Sequence, residues 1–228
     1  VFERDLGSSL LLFTVVMVVI WVATGRLVFV VGGLGLFAVG ALVSWRVFSH
    51  VQERVDTWLD PWSDPLDSGF QLLQATFSLA EGGLTGTGPG LGDPGRIPAA
   101  ETDFIFAVIA EELGLVGSSA ILIGFLLLVG SGYRIAVRAT RPFDSLLATG
   151  LTTIIAFQSF LILGGVLRIV PLTGITLPFV SYGGSSLISN YVLVALLLRI
   201  SHDVEGGVKP PPWRPWRRLR RQRREVAA

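Results

Sequence analysis

The 228 residues are 51% hydrophobic and only 15% charged, with a mean hydropathy of +0.65. That balance excludes an ordinary soluble domain and points to a polytopic membrane protein. The formal net charge of +1 hides a segregation, with cations gathered in the last few dozen residues and acids between Glu53 and Glu112; the absence of cysteine excludes disulfide frameworks, thiolate chemistry and Cys-based metal sites.

The chain opens on Val1 and soon enters an apolar run with neither a basic n-region nor a small-residue cleavage site, so no signal peptide is expected. The missing initiator Met is expected to mean that further chain precedes it. Ser8 to Gly25 and Leu27 to Val47 are apolar runs joined at Gly25-Arg26. At ~1.5 Å per residue each is long enough to cross a hydrocarbon core of about 30 Å, so residues 1–47 read as a hairpin of two transmembrane helices. Gly32, Gly33, Gly35 and Gly40 suit close helix contact in a membrane.

Residues 48–103 turn to Trp, Asp, Pro and Gly and read as a long extramembrane loop with amphipathic helices. HVQERVDTWLDPW mixes charges with Trp58 and Trp62, as befits an interfacial segment. DSGFQLLQATFSLAEGG carries Phe70, Leu72, Leu73, Phe77 and Leu79 as a short amphipathic helix ended by Gly82-Gly83. Gly82 to Gly95 superficially resembles a phosphate-cradling loop. It lacks the Gly-Lys-Ser/Thr ending, follows no predicted strand and holds Pro89 where a backbone donor is needed, so a pliable hinge is the better reading.

Thr102 to Arg134 is continuously helical in pattern, ~50 Å if straight, and too long for one crossing. A break at Gly114 or Gly117 is expected, with Leu115 to Tyr133 crossing and Thr102 to Leu113 at the surface. The break keeps Glu111 and Glu112 from the hydrocarbon centre, where each would cost roughly 2.5 to 3.5 kcal/mol, and leaves them positioning or interfacial roles. Thr102 is expected as N-cap and Asp103 as a first-turn acid favoured by the helix dipole. After a basic link with Arg134, Arg138 and Arg141, Ser145 to Leu167 is the fourth span, with Gln158 inside it. Residues 168–184 are apolar but broken by Pro171, Gly174, Pro178, Gly183 and Gly184. Such backbone is tolerated at membrane depth only where protein or a wet cavity surrounds it, so a re-entrant, cavity-lining segment is expected. Ser185 to Ile200 completes five spans, three of them within residues 104–200. Residues 201–228, with three prolines and WRPWRRLRRQRR, read as a disordered basic cytoplasmic tail held to anionic membrane lipid, not to nucleic acid.

The cations orient the spans. By the positive-inside rule the C-terminus, the Arg134 to Arg141 link and Arg26 are cytoplasmic, which puts the acid-rich loop and the broken segment together on the outer side. A site between them opens to extracytoplasmic water and to lipid, and not to cytosolic nucleotides.

Asp60 to Gly90 (DPWSDPLDSGFQLLQATFSLAEGGLTGTGPG), Ala100 to Gly117 (AETDFIFAVIAEELGLVG) and Pro171 to Ser186 (PLTGITLPFVSYGGSS), together with ERDLGSS near the start, resemble the SEDS proteins, the RodA/FtsW family. LTGITLPFVSYGG and GGVLRIVP are closer to its RodA branch. The resemblance implies an all-α, ten-helix protein of the cytoplasmic membrane, of which these five spans are the second half. It implies a peptidoglycan glycosyltransferase that polymerises glycan strands from lipid II, an undecaprenyl-linked precursor, beside a class B penicillin-binding transpeptidase. The family's essential acid lies in its T-D-F-I-F motif, here at Asp103; Glu101 departs from the His or neutral residue many members have.

Given that resemblance, Asp103 is the candidate general base for the attacking sugar hydroxyl, against the alternative of a plain helix-capping carboxylate. The leaving pyrophosphate calls for cations. Arg4, Arg54, Arg96 and Arg168 are on the outer side, with Arg54 favoured, and each is equally readable as an interfacial anchor. The resemblance implies a divalent cation, Mg or Mn, although no metal-ligand spacing is present. Gln71 and Gln74, three apart, are candidate sugar contacts or solvated positions, and Glu101 is a candidate acceptor contact. Ser181, Tyr182, Ser185 and Ser186 are candidates to line the acceptor cavity, or tight packing at helix ends. His50 and His202 are isolated and on opposite sides, so no Ser-His-Asp arrangement is expected. The competing classes are a lipid-linked precursor flippase or transporter and a non-catalytic scaffold for the transpeptidase.

Overall fold

The computed structural model describes residues 6–206, and the basic tail beyond Gly206 and Arg4 lie outside them. Among the described residues there are seven α-helices and no strand: α1 (Leu6–Thr24), α2 (Leu27–Val47), α3 (Ser49–Leu59), α4 (Phe70–Gly82), α5 (Ile105–Arg138), α6 (Pro142–Val166) and α7 (Gly184–Glu205). Helices α1, α2, α5, α6 and α7 are long and apolar enough to cross a membrane. The chain is thus an all-α polytopic membrane protein.

Helix α6 is the hub, packed against α1, α5 and α7. At one end of the bundle, Phe104, Phe106 and Ala107 join Leu72 and Ala75 of α4, Ile162 and Val166 of α6, and Leu177 in a buried core. At the other end Ala136, Ala148, Leu151, Ile155, Leu197 and Ile200 tie α5, α6 and α7 together. Helix α2 buries none of its residues and packs mainly against α1 and α3. Its apolar exterior is no anomaly, because lipid tails are as apolar as leucine. Of its four glycines only Gly33 meets α1, at Met17; Gly32 and Gly35 face open space and Gly40 lines a cavity.

Helix α5 breaks at Gly114, where φ is 65° and ψ is −163°, and runs helically through Gly117. The break frees backbone groups on both sides, and the glycine loop after α4 satisfies them. The Thr87 and Gly88 amides donate to the carbonyls of Glu111 (2.9 Å) and Glu112 (3.0 Å), while the Leu115 and Val116 amides donate to the carbonyls of Gly83 (2.9 Å) and Leu84 (3.2 Å). The loop expected as a hinge is instead interlocked with the helix. Glu111 is 2% exposed and its Oε1 accepts from the Asp93 amide at 2.9 Å, so it is a buried tether for this loop and has no interfacial role.

The start of α5 also differs from expectation. Ala99 adopts a positive φ of 58°, and its carbonyl accepts from the amides of Thr102 and Asp103 in a tight turn. Those bonds use the residues that an earlier helix start needs, so the helix begins at Ile105 and Thr102 is not its cap; the Thr102 hydroxyl donates to Ala99 O at 3.2 Å. Asp103 is held in the turn ahead of the helix. Between α6 and α7, residues 167–183 are irregular, and side chains from elsewhere satisfy their backbone. Arg54 donates to the carbonyls of Leu172 and Thr173, Trp58 Nε1 to Arg168 O (3.0 Å) and Gln158 Nε2 to Thr176 O (2.8 Å).

At Gly86 (φ 81°) an added Cβ would stand 2.0 Å from Glu112 O, whereas at Gly90 (φ 74°) it would meet nothing within 4 Å. A positive φ alone costs a side chain about 1–3 kcal/mol. Gly86→Ala is therefore expected to lower the thermal unfolding temperature in detergent well beyond Gly90→Ala, and to speed proteolysis of residues 83–92. Equal losses in the two variants would mean that the interlock does not hold α5.

Candidate functional site

One face of α3 presents His50, Glu53, Arg54, Thr57 and Trp58, the i, i+3, i+4, i+7, i+8 set that a helix places on one side. This face lines a cavity of ≈ 300 Å³. Opposite it stands the Asp103-Phe104 turn; Ser68, Gln71 and Leu72 come from α4 and its approach, and Leu172 and Gly174 from the irregular segment. The face is fixed from two directions. Trp58 and Arg168 exchange bonds, indole to Arg168 O at 3.0 Å and guanidinium to Trp58 O at 3.3 Å, while Arg54 Nη1 lies 3.4 Å from both Leu172 O and Thr173 O.

Asp103 is half-buried, and its desolvation raises the carboxyl above the ordinary carboxylate range. The Arg54 guanidinium opposes that rise, and so, more weakly, does the Thr102 hydroxyl, whose best-placed acceptor is nonetheless the Ala99 carbonyl. No ion pair among the described residues joins Arg54 to Asp103. The result is a carboxylate of increased basicity, facing a cavity beside a fixed cation. Such a group can accept a proton from a bound hydroxyl while the cation attracts an anionic leaving group.

Two further cavities adjoin this one. An apolar cavity of ≈ 870 Å³ between α1, α2, α3 and α6 shares Arg54 and Leu172 with it. A cavity of ≈ 380 Å³ between α1, α6 and α7 shares Gly174 and includes Gln158, Thr176, Ser186, Ser189 and Asn190.

The family model for the FtsW, RodA and SpoVE cell cycle proteins matches residues 1–206. The chain belongs to this family. Among its FtsW/RodA/SpoVE relatives, the peptidoglycan glycosyltransferase RodA of Mycobacterium tuberculosis is 54% identical over 202 residues, covering 89% of this chain and 43% of that protein. Stage V sporulation protein E of Bacillus subtilis is 40% identical over 204 residues, covering 87% of this chain and 55% of that protein. A solved structure showing how a peptidoglycan synthase complex coordinates polymerization and crosslinking matches with a TM-score of 0.71 and 32% identity, covering 89% of this chain and 57% of that one. The chain thus spans about half the length of the curated family members it matches.

Of the residues singled out in the sequence of this family member, Asp103, Arg54 and Gln71 meet at the ≈ 300 Å³ cavity and Ser186 lines the neighbouring one of ≈ 380 Å³. Gln74 is half-buried on α4 and lines none of the three cavities, and neither does Ser185, which is exposed. Glu101 is exposed, with its carbonyl accepting from the Tyr182 amide at 2.8 Å, and the Tyr182 side chain is 73% exposed. Ser181 is 2% exposed and fully engaged: its hydroxyl donates to Thr102 O at 2.5 Å and accepts from the Leu177 amide at 2.8 Å, fixing the turn beside Asp103. Arg96 pairs with Glu81 and Asp93, away from the cavity. Sequence reasoning missed Glu53, Thr57, Ser68, Ser189 and Asn190, and treated His50 as isolated. The spacing of His50, Arg54 and Trp58 along α3 was the available signal. For a divalent metal, no three His, Asp or Glu side chains converge among the described residues.

The raised proton affinity of Asp103 has a definite sign. Its folded-state value is the higher one, so its contribution to stability is full below the unfolded-state value and is lost as pH rises through the folded-state value. A reaction that needs the ionised form has its acid limb above the ordinary carboxylate range. Arg54→Gln removes the opposing cation and is expected to move that limb to still higher pH, as read from a pH–rate profile; a limb that stays in place would disconnect Arg54 from the base.

Proposed function

We propose that the chain supplies the catalytic half of a peptidoglycan glycosyltransferase of the RodA branch, polymerising glycan strands from lipid II at the outer face of the cytoplasmic membrane. The observation that carries this reading is the half-buried Asp103 facing Arg54 in a cavity that shares Arg54 with a larger apolar one. A lipid pyrophosphate is amphipathic in just this way, with an apolar chain, an anionic link and a polar sugar. The name of the mycobacterial relative supports the same reading. So does the segregation of cations, which favours an outer placement for the cavity and a cytoplasmic C-terminus with a lipid-bound tail.

In the reaction, Asp103 accepts the proton of the acceptor's 4-hydroxyl as that oxygen attacks the anomeric carbon of the donor sugar. The new carbon–oxygen bond replaces the bond to pyrophosphate, and the lipid pyrophosphate leaves with the electron pair. Arg54, steered by its two carbonyl partners, faces the developing negative charge. A Mg or Mn ion enters this reading only with the substrate's pyrophosphate, since the described residues form no cage for it, and no step is assigned to one. The likeness to a peptidoglycan synthase complex supports a partner that cross-links, a class B penicillin-binding transpeptidase.

The test uses the full-length protein with its transpeptidase, supplied with labelled lipid II. Asp103→Ala and Asp103→Asn are each expected to lower glycan polymerisation by about 10²–10⁴-fold, the usual contribution of a general base, with thermal stability retained. Undiminished polymer in both variants would remove the base assignment. Lipid II movement across vesicles with no polymer from the wild type would place the protein with the transporters. Chelation with EDTA is expected to slow polymerisation while leaving the unfolding temperature unchanged, because the described residues build no metal cage.

A further inference from the structure

Glu111 is the one buried acid among the described residues, at 2% exposure, and it lines none of the three cavities. Its Oε1 accepts from the Asp93 amide at 2.9 Å, while its Oε2 is enclosed with no hydrogen-bond partner among the described residues. Enclosing a carboxyl group for a single bond is costly, and apolar packing would hold a loop without that cost. The chemistry assigned to Asp103 makes no direct use of it.

The bond to Asp93 closes a ring of chain. Asp93 and Glu111 are 18 residues apart in sequence, and Asp103 lies between them. From Asp93 onward the backbone is a run of tight turns: the Arg96 amide donates to Asp93 O (3.1 Å), Ile97 to Pro94 O (3.2 Å), Ala100 to Ile97 O (3.2 Å), and Thr102 and Asp103 to Ala99 O (3.2 and 3.1 Å). From Ile105 the return to Glu111 is helix. Little slack remains on either side, so where Asp93 is held decides where Asp103 stands. Ile97, Ala100 and Phe104 hold the same turns down in the core, but apolar burial is non-directional. The tether supplies the direction. Glu111 grips the glycine loop a second time, its carbonyl accepting from the Thr87 amide and hydroxyl at 2.9 and 3.2 Å.

We propose that Glu111 is a positioning residue for the base: by closing the ring at Asp93 it fixes the Asp103 carboxyl on the cavity wall. This rests on the glycosyltransferase reading and assigns it a residue that touches no substrate. A general base acts only within hydrogen-bond reach of the proton it takes, and a misplacement of about 1 Å costs on the order of 10²-fold in rate. The ring also keeps Asp103 half out of water, which is what raises its proton affinity. Opening the ring therefore moves the base and hydrates it together.

The test uses the full-length protein with its transpeptidase, supplied with labelled lipid II over a range of pH. Glu111→Met keeps nearly the same shape and removes the acceptor, whereas Glu111→Gln keeps an oxygen for the Asp93 amide. Glu111→Met is expected to lower the maximal rate by about 10–10²-fold with the half-saturating lipid II concentration little changed, and to move the acid limb of the pH–rate profile down toward the ordinary carboxylate range. Glu111→Gln is expected to restore most of the rate and the limb with it. Tyr133→Phe, which removes the bond to Thr153 near the far end of α5, is expected to lower the unfolding temperature with rate and limb unchanged. Should Glu111→Met not fold, Gly92→Ala presses on the tether from the loop side, because its Cβ would stand 3.3 Å from Glu111 Oε1, and it is expected to give the same signature in smaller measure. An undiminished rate in Glu111→Met, equal losses in the Met and Gln variants, or a loss that leaves the acid limb in place overturns the positioning role while polymerisation stands. A wild type that makes no polymer overturns the glycosyltransferase reading, and hydrogen exchange then decides the tether alone. Faster exchange at the Thr102 and Asp103 amides in Glu111→Met than in Glu111→Gln upholds it, and equal exchange overturns it.

Discussion

A helix beside a bilayer cannot give up backbone hydrogen bonds without recovering them from elsewhere in the protein. In this chain that constraint is met at Gly114, where α5 opens and the loop from Gly83 to Gly88 supplies two amides and two carbonyls to the four exposed groups. Everything at the site follows from that exchange. The segment from Ile105 to Leu113 is free to leave the axis of the span, and the loop that completes it also sets its direction. Phe104 and Phe106 then enter the core with α4 and α6, and the turn ahead of them carries Asp103 to the wall of the cavity. Burying each ring is worth roughly 1.5–3 kcal/mol, so the turn has an apolar anchor on its helical side. On its other side Ser181 holds the Thr102 carbonyl.

The electrostatics of the cavity depend on a contact that is not made. A carboxylate in direct contact with a guanidinium is a poor base, because the pair stabilises the ionised form. Arg54 is kept from such pairing by the two carbonyls of Leu172 and Thr173, which draw it along the floor of the site. Asp103 therefore retains the raised proton affinity that its burial gives. The irregular backbone between α6 and α7 is what makes this arrangement available: a regular helix would have spent those carbonyls on itself.

Much of this architecture was legible in the residues. Span length and hydropathy gave five crossings, excess helix length gave the break in α5, and Pro and Gly at membrane depth gave the irregular segment. The charges favoured one face for both. The start of α5 was not legible, because it is set by Ala99 in a left-handed conformation, and nothing about an alanine announces a positive φ. For Ser181 the packing alternative is the one the structure shows, for a related reason. A Ser in a Gly-rich turn reads as a possible ligand contact, whereas the Ser181 hydroxyl is consumed by two backbone groups that become neighbours only when the chain is folded. The α3 face was readable from its i, i+4, i+8 spacing, but a helix of mixed Trp and charge at a membrane surface offers an interfacial explanation first, and that explanation concealed His50 and Trp58.

The site is finally a junction of three cavities. Apolar space adjoins it at Arg54, a mainly apolar cavity with some uncharged polar side chains at Gly174, and the charged cavity lies between, with Asp103 at its wall. Between α5, α6 and α7, Ala136, Ala148, Leu151, Ile155, Leu197 and Ile200 form an apolar layer, with the buried Thr149, Thr152 and Thr153 of α6 beside it. Moving a charged group through it would require solvation that those side chains cannot give.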